Sequence, residues 1–500
     1  MKAYVLLFLL QHHCLIIKAS FFHTNNNKTS DNAHIGYQLT VAIPTEYSRG
    51  FVGRAFLMET ATAAAKSPLV NFRAAVSVEA VDDDKKLYAC SLDVFLGGDL
   101  KVWSSGHLSP FYATGSCTLE LTQNGGDLQL KGARRGARAA SAAVGWHAGT
   151  SGQGVQKLKL LRTGNLVLMD SKNTIKWQSF NFPTNTILWG QRLSPMTRLT
   201  AFPISNSSPS FYYSLEIHDD KLALYLNSGN WKYSYWEYRP SDNRNITYAC
   251  LTSQGLEIYN GLNWRITQIT SKTPQEPPKF LALADATGNL GLYYYSPQKQ
   301  VFEVSYEAIN NTCYLPFACN KSYGICTSSG ECSCIRLVKR GLSGLYCCNE
   351  EMLAGGSCDK SRLGMIELHG ITTVLSSSSK KVNLTKAACA DLCLNNCTCV
   401  AAMYGDNVNR EGECYFYGLV RGVKQMGDVR ERKMSYMVKV PKDVIDDCHG
   451  KGCPIKTWVL VVVGVVDGLV ILILSVGIGY CVVQRRKNNI HNAENNQNIN

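Results

Sequence analysis

The cysteines of this chain are divided so unevenly that two kinds of fold are required. Of its 20 cysteines, residues 21–312 hold only Cys90, Cys117 and Cys250, whereas residues 313–453 hold fifteen. The long first stretch must be held together by an apolar core. The second is short and thiol-rich, and is expected to consist of small modules stapled by disulfides. Disulfides persist in oxidising compartments, so the same division places the chain on the secretory route.

Both ends of the chain fit that route. Lys2, the apolar stretches 5–10 and 15–17, and Ala19-Ser20 read as a signal peptide over residues 1–20, interrupted by Gln11-His12-His13. The alternative is a buried first strand. Residues 458–483 form an apolar run followed by Gln484-Arg485-Arg486-Lys487. At 1.5 Å per residue the run reaches roughly 39 Å, enough to cross a hydrocarbon core of about 30 Å with some tilt. The basic cluster behind it is the positive-inside signal. The expectation is a single-pass type I protein of the plasma membrane, with an extracellular ectodomain, a stalk over 442–457 and a cytoplasmic tail over 484–500. Such a tail is too short to bury a core, so no cytoplasmic domain is expected. Sequons at Asn27, Asn206, Asn245, Asn310, Asn320, Asn383 and Asn396 all fall on the outer side, which favours a glycoprotein.

A net charge of +13 arises from 51 basic and 38 acidic residues. Its sharpest cluster is Lys131, Arg134, Arg135 and Arg138. Attraction to acidic wall polysaccharide or anionic lipid is one reading, and a solvated loop is the other. The compartment excludes nucleic acid as a partner.

Within residues 21–312 one local pattern recurs. Leu119-Glu-Leu-Thr-Gln-Asn-Gly-Gly-Asp-Leu-Gln-Leu130 is echoed by Leu158-Lys-Leu-Leu-Arg-Thr-Gly-Asn-Leu-Val-Leu168. Leu222-Ala-Leu-Tyr-Leu-Asn-Ser-Gly-Asn-Trp-Lys-Tyr233 and Leu281-Ala-Leu-Ala-Asp-Ala-Thr-Gly-Asn-Leu-Gly-Leu292 repeat the form. Glycine and asparagine tolerate positive φ, and the flanks alternate apolar and polar residues, so each segment reads as a β-hairpin. Four hairpins of one type predict repetitive, all-β architecture. Pro274, Pro277 and Pro278 mark a connection inside the second β unit.

At residues 149–193, GTSGQGVQKLKLLRTGNLVLMD followed by WQSFNFPTNTILWGQRL resembles the bulb-type lectin domain of plant S-domain proteins, the G-type lectin receptor-like kinases and their kinase-lacking relatives. LALADATGNLGLYYYS followed by CYLPFACNKSYGICTSSGECSC is similar to their S-locus-glycoprotein region and EGF-like module. CADLCLNNCTCVAAMY with Cys414 beyond it resembles their PAN/apple module. The matches run in family order over roughly residues 35–440. The chain is most similar to the group with a PAN module, a membrane helix and almost no tail. The expected fold is mainly β: bulb-lectin β-prism-like domains, a disulfide-rich EGF-like module, a small α+β PAN/apple module and one transmembrane helix. The expected boundaries are 33–200 for the lectin domain, 201–312 for the second β domain, 313–350 for the EGF-like module, 351–441 for the PAN/apple domain and 458–483 for the membrane helix.

The EGF-like resemblance implies the pairs Cys313–Cys326, Cys319–Cys332 and Cys334–Cys347. Closing a loop of about fourteen residues contributes on the order of 3 kcal/mol in the loop-entropy model. Zinc held by Cys332, Cys334, Cys347 and Cys348 is the rival, and the oxidising compartment favours disulfides. Residues 308–312 carry no carboxylate, so the calcium-binding variant of the module is not expected. Cys389, Cys393 and Cys397 recur at i, i+4 and i+8, which places them on one face of a short helix. The PAN pattern implies Cys389–Cys414 and Cys393–Cys399. Cys348, Cys358, Cys397, Cys448 and Cys453 are left without obvious partners, and Cys90 and Cys117 could close a loop in the lectin domain. The resemblance implies contacts with proteins or carbohydrate, or self-association, for the PAN module; spacing the lectin from the membrane is the alternative.

Monocot bulb lectins bind mannose through Gln-x-Asp-x-Asn-x-Val-x-Tyr, whose polar groups bond sugar hydroxyls while Val packs on the ring. The corresponding positions here are Leu161, Thr163, Asn165, Val167 and Met169, so a degenerate site keeps only Asn165 and Val167. The positions Gln123, Gly125, Asp127, Gln129 and Lys131 keep only the Gln. Mannose binding at these repeats is therefore not expected, and the lectin likeness is one of fold.

The ectodomain has no Gly-x-Ser-x-Gly or His-Glu-x-x-His motif, and no kinase landmark follows the apolar run, so neither an enzyme nor a cofactor is expected. Inside that run lies Asp467, costly at membrane depth, flanked by Gly464 and Gly468, with Ser475 and Gly479 continuing the face. One reading is a face that binds another membrane helix; the other is tolerated small residues with a local water defect at Asp467. The chain reads as a non-enzymatic receptor-like glycoprotein that recognises a carbohydrate or protein ligand and acts through an associated receptor kinase. A wall-to-membrane adhesion protein and a truncated S-domain receptor kinase are the alternatives.

Overall fold

The structure is a computed structural model that describes residues 31–43, 50–60, 71–82, 87–133, 142–203, 211–241, 245–273, 276–319, 323–338, 345–347, 362–406, 412–426 and 434–442. Apolar alternation folds the first part into six antiparallel sheets, three in each of two units. In the first unit, sheet I joins Val52–Glu59, Phe72–Asp82, Leu87–Leu96 and Leu100–Ser104, with Phe111–Ala113 against Leu87–Leu96. Sheet II joins Gln38–Ala42, Ser116–Leu121, Leu128–Ala133 and Ala143–His147. Sheet III joins Asn32–His34, Val155–Leu160, Leu166–Asp170 and Ile175–Gln178.

Three consecutive strands form each meander, and the fourth strand comes from the start of the unit. The order is nested. Asn32–His34 pairs with the last meander, Gln38–Ala42 with the middle one and Val52–Glu59 with the first. The second unit repeats this plan. Thr186–Leu188 pairs with the last meander, Phe280–Leu283, Leu290–Ser296 and Val301–Glu307, as sheet VI. Arg192–Leu193 pairs with Tyr248–Thr252, Gly255–Tyr259 and Arg265–Thr270 as sheet V. Arg198–Ala201 pairs with Phe211–Ile217, Leu222–Ser228 and Trp231–Tyr238 as sheet IV. Residues 186–200, on the lectin side of the division expected at 200, thus pair within the second unit.

Period-two alternation turns one face of every sheet inward. Leu119, Leu121, Leu128, Leu130, Leu158 and Leu168 are fully buried in the first unit. At its centre the last strand of each sheet contributes one tryptophan: Trp103, Trp146 and Trp177 meet edge to face at 5.8–6.3 Å. Trp103 Nε1 donates to the Phe182 carbonyl at 2.9 Å, so the buried indole keeps a partner.

All four hairpins anticipated from the glycine pattern are formed, but they use two turns. Ser228 pairs directly with Trp231, so Gly229-Asn230 is a two-residue turn with Asn230 exposed. The other three glycines open wider turns in which the following Asp or Asn is buried. The difference lies in where the glycine falls, between the last two strands of the meander in sheet IV and between the first two elsewhere.

The units meet through the outward face of sheet VI. Phe280 packs into the first unit's core, with Tyr293 and Phe302 beside it. Gly164 allows this approach, because a Cβ there would lie 2.5 Å from Phe72 and 2.6 Å from Leu188. His107 of the first unit places Nε2 2.8 Å from the Thr200 carbonyl of the second.

The C-terminal module has a sheet of Leu363–Leu368, Met434–Pro441, Ala401–Asp406, Gly412–Tyr417 and Lys380–Lys381, crossed by the helix Lys386–Asn395. The Thr385 hydroxyl caps this helix by accepting from Ala388 N at 3.2 Å. The helix stops before Cys397, so the three-thiol face anticipated there loses its last member. A helix continued over six residues would advance about 9 Å. The Cys393–Cys399 disulfide holds those Cα atoms at 5.3 Å instead, and turns the chain back. Ser376–Ser377 adds a fifth strand to sheet IV at Tyr233 and Ser234. Tyr233 stacks on Tyr417 at 5.6 Å, and its hydroxyl accepts from Gly418 N at 2.7 Å. Phe317 stacks on Phe211 at 4.2 Å, tying the intervening cysteine-rich segment to the same junction.

No helix among the described residues is long and apolar enough to cross a membrane. Residues 1–20, the run 458–483 and Gly464, Asp467, Gly468, Ser475 and Gly479 lie outside the described residues.

Two outcomes are expected from these junctions. Tyr233→Phe removes the acceptor for Gly418 N and should cost about 1–3 kcal/mol. Thermal unfolding of the ectodomain should register this as roughly 2–4 °C per kcal/mol. Burial pushes the His107 imidazole below its usual value, and the Lys101 charge adds to this. The folded state therefore holds His107 neutral, while the unfolded chain takes up its proton below about pH 6.5, so this contribution to stability is present above that pH and is lost as pH falls. Melting temperatures measured between pH 7.5 and 5 should decline on acidification, and less steeply for His107→Gln.

Candidate functional site

The degenerate motif lies on sheet III. Strand register sets its surroundings. Val167 stands opposite Lys159 and Gln178, and Met169 opposite Lys157 and Ile175. Lys159 pairs with Asp31 at 3.3 Å, and Lys157 donates to the Asn173 side chain at 2.5 Å. Lysine stems and apolar side chains thus occupy the face on which a neutral sugar would need amide and phenol groups.

Asn165 does not face outward. It is 5% exposed, and its Oδ1 accepts from Ser179 Oγ at 3.2 Å and Phe180 N at 3.3 Å. Its Nδ2 donates to Gln178 Oε1 at 2.8 Å. Val167 is fully buried. The two retained motif residues therefore serve the fold.

The same latch recurs. Asp127 is buried, and its Oδ1 accepts from Thr150 N at 3.0 Å. Asn289 is buried, and its Oδ1 accepts from Ile309 N at 3.1 Å. In each case the side chain behind a positive-φ glycine (Gly126, Gly164 or Gly288) ties the hairpin turn to the chain leaving the third strand of its meander. These buried acceptors are satisfied by backbone donors, as buried polar groups must be. Gln123 and Gly125 are exposed, and Gln129 donates to Asp127 Oδ2 at 3.2 Å. Lys131 pairs with Glu120 at 2.8 Å, while Arg134, Arg135 and Arg138 lie outside the described residues.

Sequence reasoning missed a further hairpin of this type, Leu87–Leu96 with Leu100–Ser104. Gly98-Asp99-Leu100 carries the signal, but here Asp99 is exposed and pairs with Arg54.

Disulfides join Cys313–Cys326, Cys319–Cys332, Cys389–Cys414 and Cys393–Cys399, with Cα separations of 5.3–5.6 Å. Cys334 and Cys397 are disulfide-bonded as well. Cys90 and Cys117 are buried free thiols, and contact with Cys90 together with burial pushes the Cys117 thiol upward. They are neighbours, yet no bond closes the loop between them. Among the sequons, Asn245, Asn310, Asn383 and Asn396 are exposed, whereas Asn27, Asn206 and Asn320 lie outside the described residues. No group of three His, Cys, Asp or Glu side chains suited to a metal is found among the described residues.

Comparison with known proteins fits this geometry. Residues 101–201 match the family described as D-mannose binding lectin. A G-type lectin S-receptor-like serine/threonine-protein kinase of Arabidopsis thaliana is 26% identical over 63% of this chain and 36% of its own length. A PAN domain-containing protein of the same plant is 26% identical over 55% of this chain and 56% of its own. EP1-like glycoprotein 3, also of Arabidopsis thaliana, is 25% identical over 57% of this chain and 68% of its own. The chain is thus similar to plant S-domain lectin receptor-like proteins. It spans about a third to just over half the length of the first two relatives. A monomeric mannose-binding lectin from Gastrodia elata is 22% identical over 30% of this chain and 96% of its own, with a TM-score of 0.17, too low to add to the family match.

Asn165→Ala is expected to act on stability alone. Losing the latch should cost about 1–3 kcal/mol, read as a lower urea midpoint. Mannose retention on a glycan surface should stay at background for both wild type and variant.

Proposed function

We propose that this protein is a non-enzymatic, single-pass glycoprotein of the plasma membrane that recognises an extracellular carbohydrate or protein ligand with its two β units and acts through an associated receptor kinase. The observation that carries this reading is the joining of the modules. The second unit shares a sheet, a tyrosine stack and a buried hydrogen bond with the C-terminal module, so outward faces and C-terminal module form one continuous body. A ligand-recognising ectodomain coupled to a membrane segment needs such a body to convey occupancy. In this reading residues 313–350 are an EGF-like module, residues 351–441 a PAN module that makes contacts, and residues 458–483 the membrane helix. The lectin family match and the S-receptor-like relatives support recognition as the role. The loss of mannose-motif side chains directs the ligand away from neutral mannose.

The membrane helix would meet its partner through Gly464, Asp467, Gly468, Ser475 and Gly479, with Asp467 hydrogen-bonded inside the contact. Capture of the intact tagged protein from plant membranes in mild detergent should bring a receptor kinase with it. Asp467→Val combined with Gly468→Ile should reduce that recovery at least several-fold without lowering surface expression. Absence of any kinase from the wild-type capture would replace this reading with wall-to-membrane adhesion.

A further inference from the structure

The outward faces of the second unit have different fates. Sheet VI leans on the first unit through Phe280, and sheet IV is lengthened by Ser376–Ser377. Sheet V is covered by neither junction, and it carries a row of hydrogen-bond donors. Register places Arg192 opposite Cys250 and Tyr248 opposite Tyr259, which in turn stands opposite Arg265. Tyr248 and Tyr259 stack at 4.9 Å with rings 10° apart, and the Arg192 guanidinium lies 4.5 Å from the Tyr248 ring centre. Arg265 Nη1 donates to Glu257 Oε1 at 2.9 Å, while the Tyr259 hydroxyl donates to Glu257 Oε2 at 2.5 Å.

The row therefore runs guanidinium, phenol, phenol, guanidinium. Arg192 and Arg265 stand on the two edge strands, about 14 Å apart at the backbone if three strand spacings separate them. Stacking already fixes the rings and Arg192, so little side-chain freedom remains to be lost on binding. Glu257, 8% exposed, is occupied by Tyr259 and Arg265, and its hydrogen bond pushes the Tyr259 hydroxyl up to about 12, so the proton of that phenol stays on the Glu257 contact. Arg192 has no carboxylate partner among the described residues and is exposed. Beside the row, Trp264 is 61% exposed, on the turn that leads into Arg265 and whose Asn263 accepts from the Tyr248 hydroxyl at 3.1 Å.

Such a surface wants a ligand rich in acceptors and negative charge, with apolar ring faces alongside. Guanidinium groups pair with carboxylates in a planar, two-bond geometry that neutral hydroxyls cannot match. The flat, exposed indole suits the C–H face of a pyranose. We propose that the outward face of sheet V binds an acidic, uronate-containing oligosaccharide, its carboxylates on Arg192 and Arg265 and a sugar ring against Trp264. This inference rests on the ligand-recognising reading above and names the ligand class and the face. The net charge of +13 favours the approach of any polyanion, so the local chemistry has to supply the choice.

The test measures binding of a defined oligogalacturonate to the full-length protein in nanodiscs at 50 and 200 mM salt. Wild type should bind, more weakly at the higher salt, and should ignore the methyl-esterified oligomer and mannan. Arg192→Gln, which removes only a ring-stacked surface charge, should weaken binding at least tenfold, with Arg192→Lys recovering part of the loss. Trp264→Ala should weaken it several-fold, and Arg265→Gln at least tenfold when binding is measured well below the variant's melting temperature. Three outcomes would overturn the proposal: no uronate binding by wild type, loss through Lys157→Gln and Lys159→Gln instead, or equal and Arg192-dependent binding of polyglutamate, which would make the face a peptide site. Kinase capture is read independently, so failure here and failure of the receptor reading are separate results.

Discussion

A three-stranded meander with one apolar face cannot stand alone in water, and that constraint organises the ectodomain. Each unit gathers three meanders so that their apolar faces enclose a shared interior. In the first unit the Trp103, Trp146 and Trp177 indoles fill its centre, one from each sheet. Once the inner faces are committed, only the outer faces are left for anything else. The second unit commits sheet VI to the first unit and lengthens sheet IV with a strand from the C-terminal module.

The buried Asx latches separate what this fold requires from what a sugar would require. Asp127, Asn165 and Asn289 are held by the fold's own backbone donors, so a requirement for these residue types persists whether or not a ligand binds. Around them, Leu161, Thr163 and Met169 stand where the mannose motif has Gln, Asp and Tyr. Residue identity at Asn165 therefore reports on packing, and the outward neighbours Lys157 and Lys159 report on the chemistry of the face.

Much of the fold was legible in the residues, and the failures have physical causes. Apolar alternation marked Leu119–Leu130 and Leu158–Leu168 because those strands bury one face only. It hid the hairpin after Leu87–Leu96, where residues 90–96 are buried on both faces and alternation disappears. Leading strands as short as Arg192–Leu193 have no period to read, so their pairing with the second unit is visible only in the structure. Cys397 fitted a helical spacing, but the Cys393–Cys399 bridge ends the helix first. The donor row on sheet V was invisible for a different reason: Arg192, Tyr248, Tyr259 and Arg265 come from four separate strands, and only the register brings them together.

The nested order of the leading strands also constrains how the chain can be made. Asn32 finds its partner in Lys159, and Thr186 in Ala282, so the strand that leaves the ribosome first in each unit must wait for the last meander. Until then it is an unpaired edge, able to capture the wrong strand. Closure of each unit is accordingly a late, long-range event, of the kind that slows folding. Tyr233 can receive Ser377 only once Trp231–Tyr238 has formed as a strand, which ties the docking of the C-terminal module to the sheet before it.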